Sequence, residues 1–143
     1  MPVECNDFLK MAKSSLEHDD DESGYRNSVS RSYYCMYHLA SSLINKRNIP
    51  RYDGKKSKYV KGGVHAKMIH YLTVDACNHE PYEASKLRKI GLMLKVNKRL
   101  RTVADYELDK TVTKLQAQDV MLQAAEMEEL VSGIRQKHSS GAA

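Results

Sequence analysis

Apolar side chains recur along this chain at steps of three and four residues and nowhere alternate over a useful length. That spacing marks amphipathic helices rather than strands. Val3, Phe8, Met11, Ala12 and Leu16 predict a first helix over 3–18, ended by the acidic run at 19–22. The same run suits the start of a second helix, where side-chain oxygens cap backbone N–H groups and negative charge meets the positive end of the helix dipole. This second helix is expected over 23–46. Pro50, Gly54 and the lysines between Asn48 and Lys61 read as a loop. A third helix follows Gly62 and Gly63 through Val64, Met68, Ile69, Leu72 and Val74. It breaks at Asn78-His79-Glu80-Pro81, because proline lacks the N–H that a helix interior needs. A fourth helix is expected over 82–108. A fifth, over 113–136, carries Leu115, Leu122, Ala125, Met127, Leu130, Val131 and Ile134. The small polar tail at 138–143 reads as disordered, which leaves 1–137 as a single domain. The expected fold class is all-α, an antiparallel bundle of four or five helices.

The second helix has two contrasting faces. At about 100° per residue, Val29, Tyr33, Met36, Tyr37, Ala40, Leu43 and Ile44 form one stripe, the expected core face. Arg31 and His38 lie opposite, within about 20° of one another, in the company of Asn27, Ser28, Cys35, Ser42 and Asn45. A solvated helix face normally carries Lys and Glu, so this one reads as a surface to be covered by another chain or a ligand.

Charge sharpens that picture. The 143 residues carry a net charge of +5, unevenly spread. Residues 1–22 hold two lysines against seven carboxylates, so the remainder carries an excess of ten positive charges. Lys46, Arg47, Arg51, Lys55, Lys56, Lys58 and Lys61 oppose only Asp53. Lys86, Arg88, Lys89, Lys95, Lys98, Arg99 and Arg101 have no acidic residue among them. Clustered positive charge is the footprint of a polyanion; a solvated helix face and a soluble loop are the plainer reading. Three cysteines without C-x-x-C spacing indicate neither a disulfide framework nor a zinc site. His65 and His70 are poorly spaced for a shared helical face, so no metal site is expected. No apolar run reaches the roughly 18 residues of a membrane span, and the N-terminus lacks the order of a secretory signal. A cytoplasmic protein with no membrane partner is the expectation.

Three segments, NSVSRSYYCMYHLASSLI, GGVHAKMIHYL and RTVADY, fall in the order expected of a known family. The first resembles the "S-R-x-Y-Y-x-x-x-H-x-A" helix of HEPN-domain proteins, the small all-α domains of prokaryotic toxins, defence systems and nucleotidyltransferase partners. The second is similar to the family's histidine-bearing helix start, and the third to its "R-x-x-A-D-Y" segment. The resemblance covers most of residues 25–108 and implies a HEPN-like bundle.

Ribonucleases of that family carry an R-x(4–6)-H motif, which Arg31 and His38 match at its long end. Their resemblance implies a metal-independent endoribonuclease of a toxin–antitoxin or defence system, with no cofactor. Arg31 would bind phosphate through its planar fork, and His38 would transfer the 2′-OH proton. The expected products are a 2′,3′-cyclic phosphate and a 5′-hydroxyl. Ser32, Tyr34 and His65, with Lys55 and Lys58 of the basic loop, would meet the substrate; Ser32 stands where active members often carry Asn, Asp or His. Arg101 and Asp105, four residues apart on one face, are expected as a structural ion pair. Expected partners are RNA and a second copy of the chain, whose motifs would meet in a shared cleft, besides an antitoxin or nucleotidyltransferase. The basic segments should flank that cleft and the acidic N-terminus should lie away from it. The alternative is a non-catalytic HEPN module that docks a nucleotidyltransferase or other protein, with Arg31 fixed by a carboxylate and His38 packed at an interface.

Overall fold

The computed structural model describes residues 4–50 and 62–140. Among them there are five helices and no strand: α1 (Cys5–His18), α2 (Glu22–Leu43), α3 (Val64–His70), α4 (Ala84–Tyr106) and α5 (Lys114–Ser139). The helix α3 continues through a wider π turn at Tyr71–Asp75 and a tight 3-10 turn at Ala76–Asn78 before Pro81 ends the segment. A second 3-10 turn, Lys46–Asn48, follows α2. No helix of the described residues is long and apolar enough to cross a membrane.

The helix α2 is the axis of the bundle, packing against α1, α4 and α5. Cross-contacts set the directions. Asn27 donates to Ser15 of α1 and Ser30 to Asp105 of α4, so α2 runs antiparallel to both. Ser42 accepts from Arg135, near the ends of α2 and α5, so those two run parallel. The core is built on the α2 stripe of Val29, Tyr33, Met36, Ala40 and Leu43, closed by Met68, Tyr71 and Leu72, by Leu87, Ile90 and Leu94, and by Val120, Met127 and Val131.

Local chemistry fixes the ends. Glu4 and Asp7 cap α1 reciprocally, as Thr113 and Gln116 cap α5. The Asp21 side chain accepts from the Gly24 N–H at the start of α2. The turn between α1 and α2 is so tight that a Cβ on Gly24 would stand 1.8 Å from the Asp19 carbonyl oxygen. Gly24→Ala is therefore expected to lower unfolding free energy by about 1–3 kcal/mol. A urea midpoint equal to that of the parent would contradict this. Beyond α2, the Glu80 carboxylate gathers the Asn45 N–H, the Asn48 amide and the Tyr71 hydroxyl at 3.0, 3.3 and 2.8 Å. Burial and this carboxylate push the Tyr71 phenol well above its usual range.

Two expectations about the elements change. In α5 the buried positions are Ala117, Val120, Ala124, Met127, Val131 and Ile134, whereas Leu115, Leu122 and Ala125 face solvent. The stripe is rotated because α5 presents small residues where it meets α2. The helix also extends to Ser139, into the segment expected to be disordered. His138 packs edge-on against Tyr82 at 5.2 Å and Lys137 approaches Glu83, contacts that hold this last turn.

Candidate active site

Arg31 and His38 do share a face of α2, but that face is not left for another chain to cover. Ser28, Ser32 and Cys35, spaced i, i+4 and i+7, are fully or almost fully buried inside the protomer. Burial pushes the Cys35 thiol up to about 12, with Cys5 of α1 and Glu128 of α5 nearby, so α1 and α5 cover this side. Small side chains there reflect close helix packing. What remains accessible is a narrower strip along α1, where Arg31 borders a depression with Lys10, Met11, Ser14, Ser15 and Asn27. Farther along, His38 borders a groove with Cys5, Phe8, Ser42, Lys46 and Arg135.

Around this strip stands a cluster of rings and cations. Phe8 of α1 stacks on the His38 imidazole, with centroids 5.0 Å apart and planes 17° from parallel. Tyr34 lies 6.5 Å from His38 and 6.2 Å from His65. Tyr37 lies 5.5 Å from His38 and stacks on His65 at 4.0 Å. The two histidines, one on α2 and one in the first turn of α3, thus share two tyrosines. The Arg31 and Arg101 guanidinium carbons each stand 5.8 Å from the Tyr34 centroid, and Arg101 also lies 5.1 Å from that of Tyr33. These are cation–π distances.

The electrostatics of the imidazoles follow from this setting. The Tyr33 hydroxyl is 2.9 Å from His65 Nδ1. Burial pushes the Tyr33 phenol up to about 12, so it keeps its proton. Donated to Nδ1, that proton would leave the imidazole hydrogen on Nε2. His65 is held below its ordinary 6.5 by burial first, then by Arg101, Lys98 and His38. His38 is lowered by burial and by Lys46. Both rings are consequently neutral at neutral pH, and each sits beside fixed positive charge.

Of the other residues singled out from the sequence, Tyr34 and His65 join this cluster. Ser32 does not: it is fully buried, on the side of α2 turned to its neighbours. Its hydroxyl finds no hydrogen-bond partner among the described residues. Lys55 and Lys58 lie outside the described residues. Arg101 is almost entirely buried and meets Asp105 at 3.7 Å, while Ser30 donates to the same carboxylate oxygen at 3.3 Å. Arg101 Nε has no partner among the described residues. Instead of lying away from the site, the first helix runs directly along it: Phe8 stands beside Tyr34 and His38, and the exposed Met11 borders the Arg31 depression. Only the acidic turn is remote, with Asp20 paired to Lys114. The basic α4 also divides: Lys98 and Arg101 stand near His65, whereas Arg88, Lys89 and Arg99 point to solvent. No group of three or more His, Cys, Asp or Glu side chains among the described residues is placed to hold a metal ion.

Arg26 is the functionally silent neighbour that sequence reasoning missed. Its guanidinium donates to Glu22 Oε1 at 3.1 Å and to the carbonyls of Val103, Ala104, Glu107 and Lys110, at and just beyond the end of α4. It thereby fixes the segment that carries Arg101. No spacing in the sequence signals such a partner, since the acceptors are backbone atoms some eighty residues away.

No protein-family model matches the chain, and no solved structure matches it. Among curated proteins, an uncharacterized protein of Methanocaldococcus jannaschii is 27% identical over 105 residues, which is 72% of this chain and 63% of that protein. The chain therefore spans less than two thirds of this relative's length.

Proposed function

We propose that the protein is a HEPN-type endoribonuclease that cleaves RNA without a metal, through attack of the 2′-OH on the adjacent phosphate. The observation that carries this reading is the pairing of two neutral imidazoles, His38 and His65, across Tyr34 and Tyr37, with two guanidinium groups against Tyr34. The parts match the needs of the reaction. A neutral imidazole accepts the 2′-OH proton, and a guanidinium fork holds the phosphate oxygens as charge develops. Tyrosine faces offer stacking to unpaired bases, the usual targets of RNA recognition. Arg31 is assigned to the phosphate. His38 takes the 2′-OH proton, and the imidazolium so formed gives a proton to the departing 5′-oxygen as the P–O5′ bond breaks. Backbone phosphates would run past Lys46 and Lys98, so binding should weaken steeply with salt. The resemblance of the three segments supports the HEPN assignment, and with it a setting in a toxin–antitoxin or defence system.

The stacking of Phe8 on His38 favours a second reading, a non-catalytic module in which the ring is packed and the face docks a partner protein. The experiment separating them is incubation of the purified chain with tRNA, mRNA and structured RNA in EDTA. Cleavage leaving 2′,3′-cyclic phosphate and 5′-hydroxyl ends is expected. Intact RNA in every case would reject the enzyme in favour of the module.

A further inference from the structure

The groove beyond His38 holds charges that proton transfer does not use. It encloses about 840 Å³ between the first turn of α1, the end of α2 and the later part of α5. That is room for a nucleotide, and Phe8, His38, Lys46, Glu128 and Arg135 stand along its walls. Several of its other polar groups are engaged. Glu4 caps α1 together with Asp7, and the Ser42 hydroxyl donates to the Leu39 carbonyl and accepts from Arg135 at 2.7 Å. The Glu128 carboxylate is different, for it makes no hydrogen bond and no ion pair among the described residues. Glu128 and Arg135 are seven residues apart and so share one face of α5. The Cys5 thiol, raised chiefly by burial, is lowered by Arg135 and raised by Glu128, so both side chains turn toward the first turn of α1.

A carboxylate on the wall of a phosphate-binding groove repels the RNA backbone, so its use there is to accept hydrogen bonds from a base. The chemistry says which nucleotide is in reach. The 2′-OH that gives its proton to His38 belongs to the nucleotide on the 5′ side of the scissile phosphate, and the groove beside His38 therefore receives that base. The pattern of donors says which base fits. Only guanine presents two adjacent donors, N1–H and the N2 amine, to the paired oxygens of a carboxylate. Adenine and cytosine each offer one amine beside a lone-pair nitrogen, and uracil offers one N–H between two carbonyls. Each of these sets an acceptor against a carboxylate oxygen. Guanine also carries O6 and N7, the pair of acceptors that an arginine fork matches.

Resting on the endoribonuclease reading above, we propose that Glu128 and Arg135 form a guanine-recognition subsite, which directs cleavage to the 3′ side of guanosine. Glu128 accepts from N1–H and the N2 amine, Arg135 donates to O6 and N7, and His38 takes the 2′-OH proton of the same nucleotide. The 2′-oxygen bonds to phosphorus as the P–O5′ bond breaks, and the departing 5′-oxygen receives the proton. The new 3′ end is a guanosine 2′,3′-cyclic phosphate. Reacting groups thus come from α2 and base selection from α5.

Mapping the new 3′ ends after incubation of the full chain with RNA of mixed sequence in EDTA tests this. Cleavage after guanosine is expected to exceed cleavage after any other base by about 10- to 100-fold. Glu128→Gln sets an amide N–H against one of the two guanine donors and should erase that ratio; Arg135→Ala should reduce it by about tenfold. Both side chains are exposed, so the melting temperature should hold. A base analogue separates recognition from a structural effect. Inosine lacks the N2 amine, so the wild type should cut after it about tenfold more slowly than after guanosine, whereas Glu128→Gln should treat the two alike. Titration with guanosine 3′-monophosphate and adenosine 3′-monophosphate reads the same preference without cleavage. Cleavage without a guanosine preference, or a preference that survives Glu128→Gln, overturns the subsite and leaves the endoribonuclease reading standing. Intact RNA with selective binding of the guanosine nucleotide rejects cleavage and upholds the subsite. Equal binding of the two nucleotides overturns it.

Discussion

Arg26→Ala is expected to lower the unfolding free energy by about 3 kcal/mol. The side chain is only 13% exposed. It stands in for the missing intrahelical partners at the C-terminal end of α4, where the last carbonyls of any helix are otherwise unpaired. Truncation removes the side-chain donor of the Ala104 and Lys110 carbonyls and leaves those of Val103 and Glu107 only the N–H groups of Glu107 and Lys110. It also strips Glu22 of one of its two supports, the other being the Val112 N–H at 2.9 Å. That N–H and then Arg26 hold the Glu22 carboxyl below its usual range. One residue thus fastens the start of α2 to the end of α4 and to the turn into α5. In a domain of this size the expected drop in melting temperature is roughly 10 °C. Arg26→Lys keeps the charge but loses the fork that reaches several carbonyls at once, so it should recover only part of the loss. Urea denaturation of both variants gives the measurement. A midpoint for Arg26→Ala within experimental error of the wild type would show that the guanidinium is ornamental.

The contrast between Arg26 and the α2 stripe shows what the sequence can and cannot disclose. Val29, Tyr33, Met36, Ala40 and Leu43 announce their burial through helical spacing, and the structure buries all of them. Helix ends were equally legible at Asp21, Gly63 and Pro81, where capping oxygen, glycine and proline act through local chemistry. Periodicity does not say which surface covers a face. Ser28, Ser32 and Cys35 read as polar and open to a partner, yet they are buried because α1 and α5 approach where side chains are small. The same lack of information put Leu115 and Leu122 in the core and left out Ala117 and Ala124. A leucine weighs more than an alanine in any hydrophobic pattern, but close helix packing selects the alanine. The candidate site was visible in part: Arg31, His38, Tyr34 and His65 could be singled out by residue type. Their convergence could not, since it depends on Phe8 of α1 and Arg101 of α4 arriving from distant parts of the chain.

If the ring cluster is the cleavage site, Arg31→Ala and His38→Ala should each reduce RNA cleavage by about 100- to 10,000-fold. Melting temperatures should change little, because Arg31 is half-buried and His38 is exposed. The loss in the two variants should differ in kind. Arg31 stays charged at every working pH, so its removal lowers the whole pH profile without moving it. His38 acts as a base only when neutral. Burial and Lys46 hold its pKa below 6.5, so cleavage should rise through a limb lying below pH 6.5 and be level by neutrality. Lys46→Ala removes a positive charge that disfavours the imidazolium, so that limb, read at saturating RNA, should shift to higher pH even though the lost phosphate contact weakens binding. In His38→Ala the limb itself should vanish from whatever activity remains. These shifts distinguish a proton-transferring histidine from one packed on Phe8: loss of packing alone would lower cleavage at all pH values alike. A wild-type profile without that limb, or a limb that persists unchanged in His38→Ala, would remove His38 from the reaction.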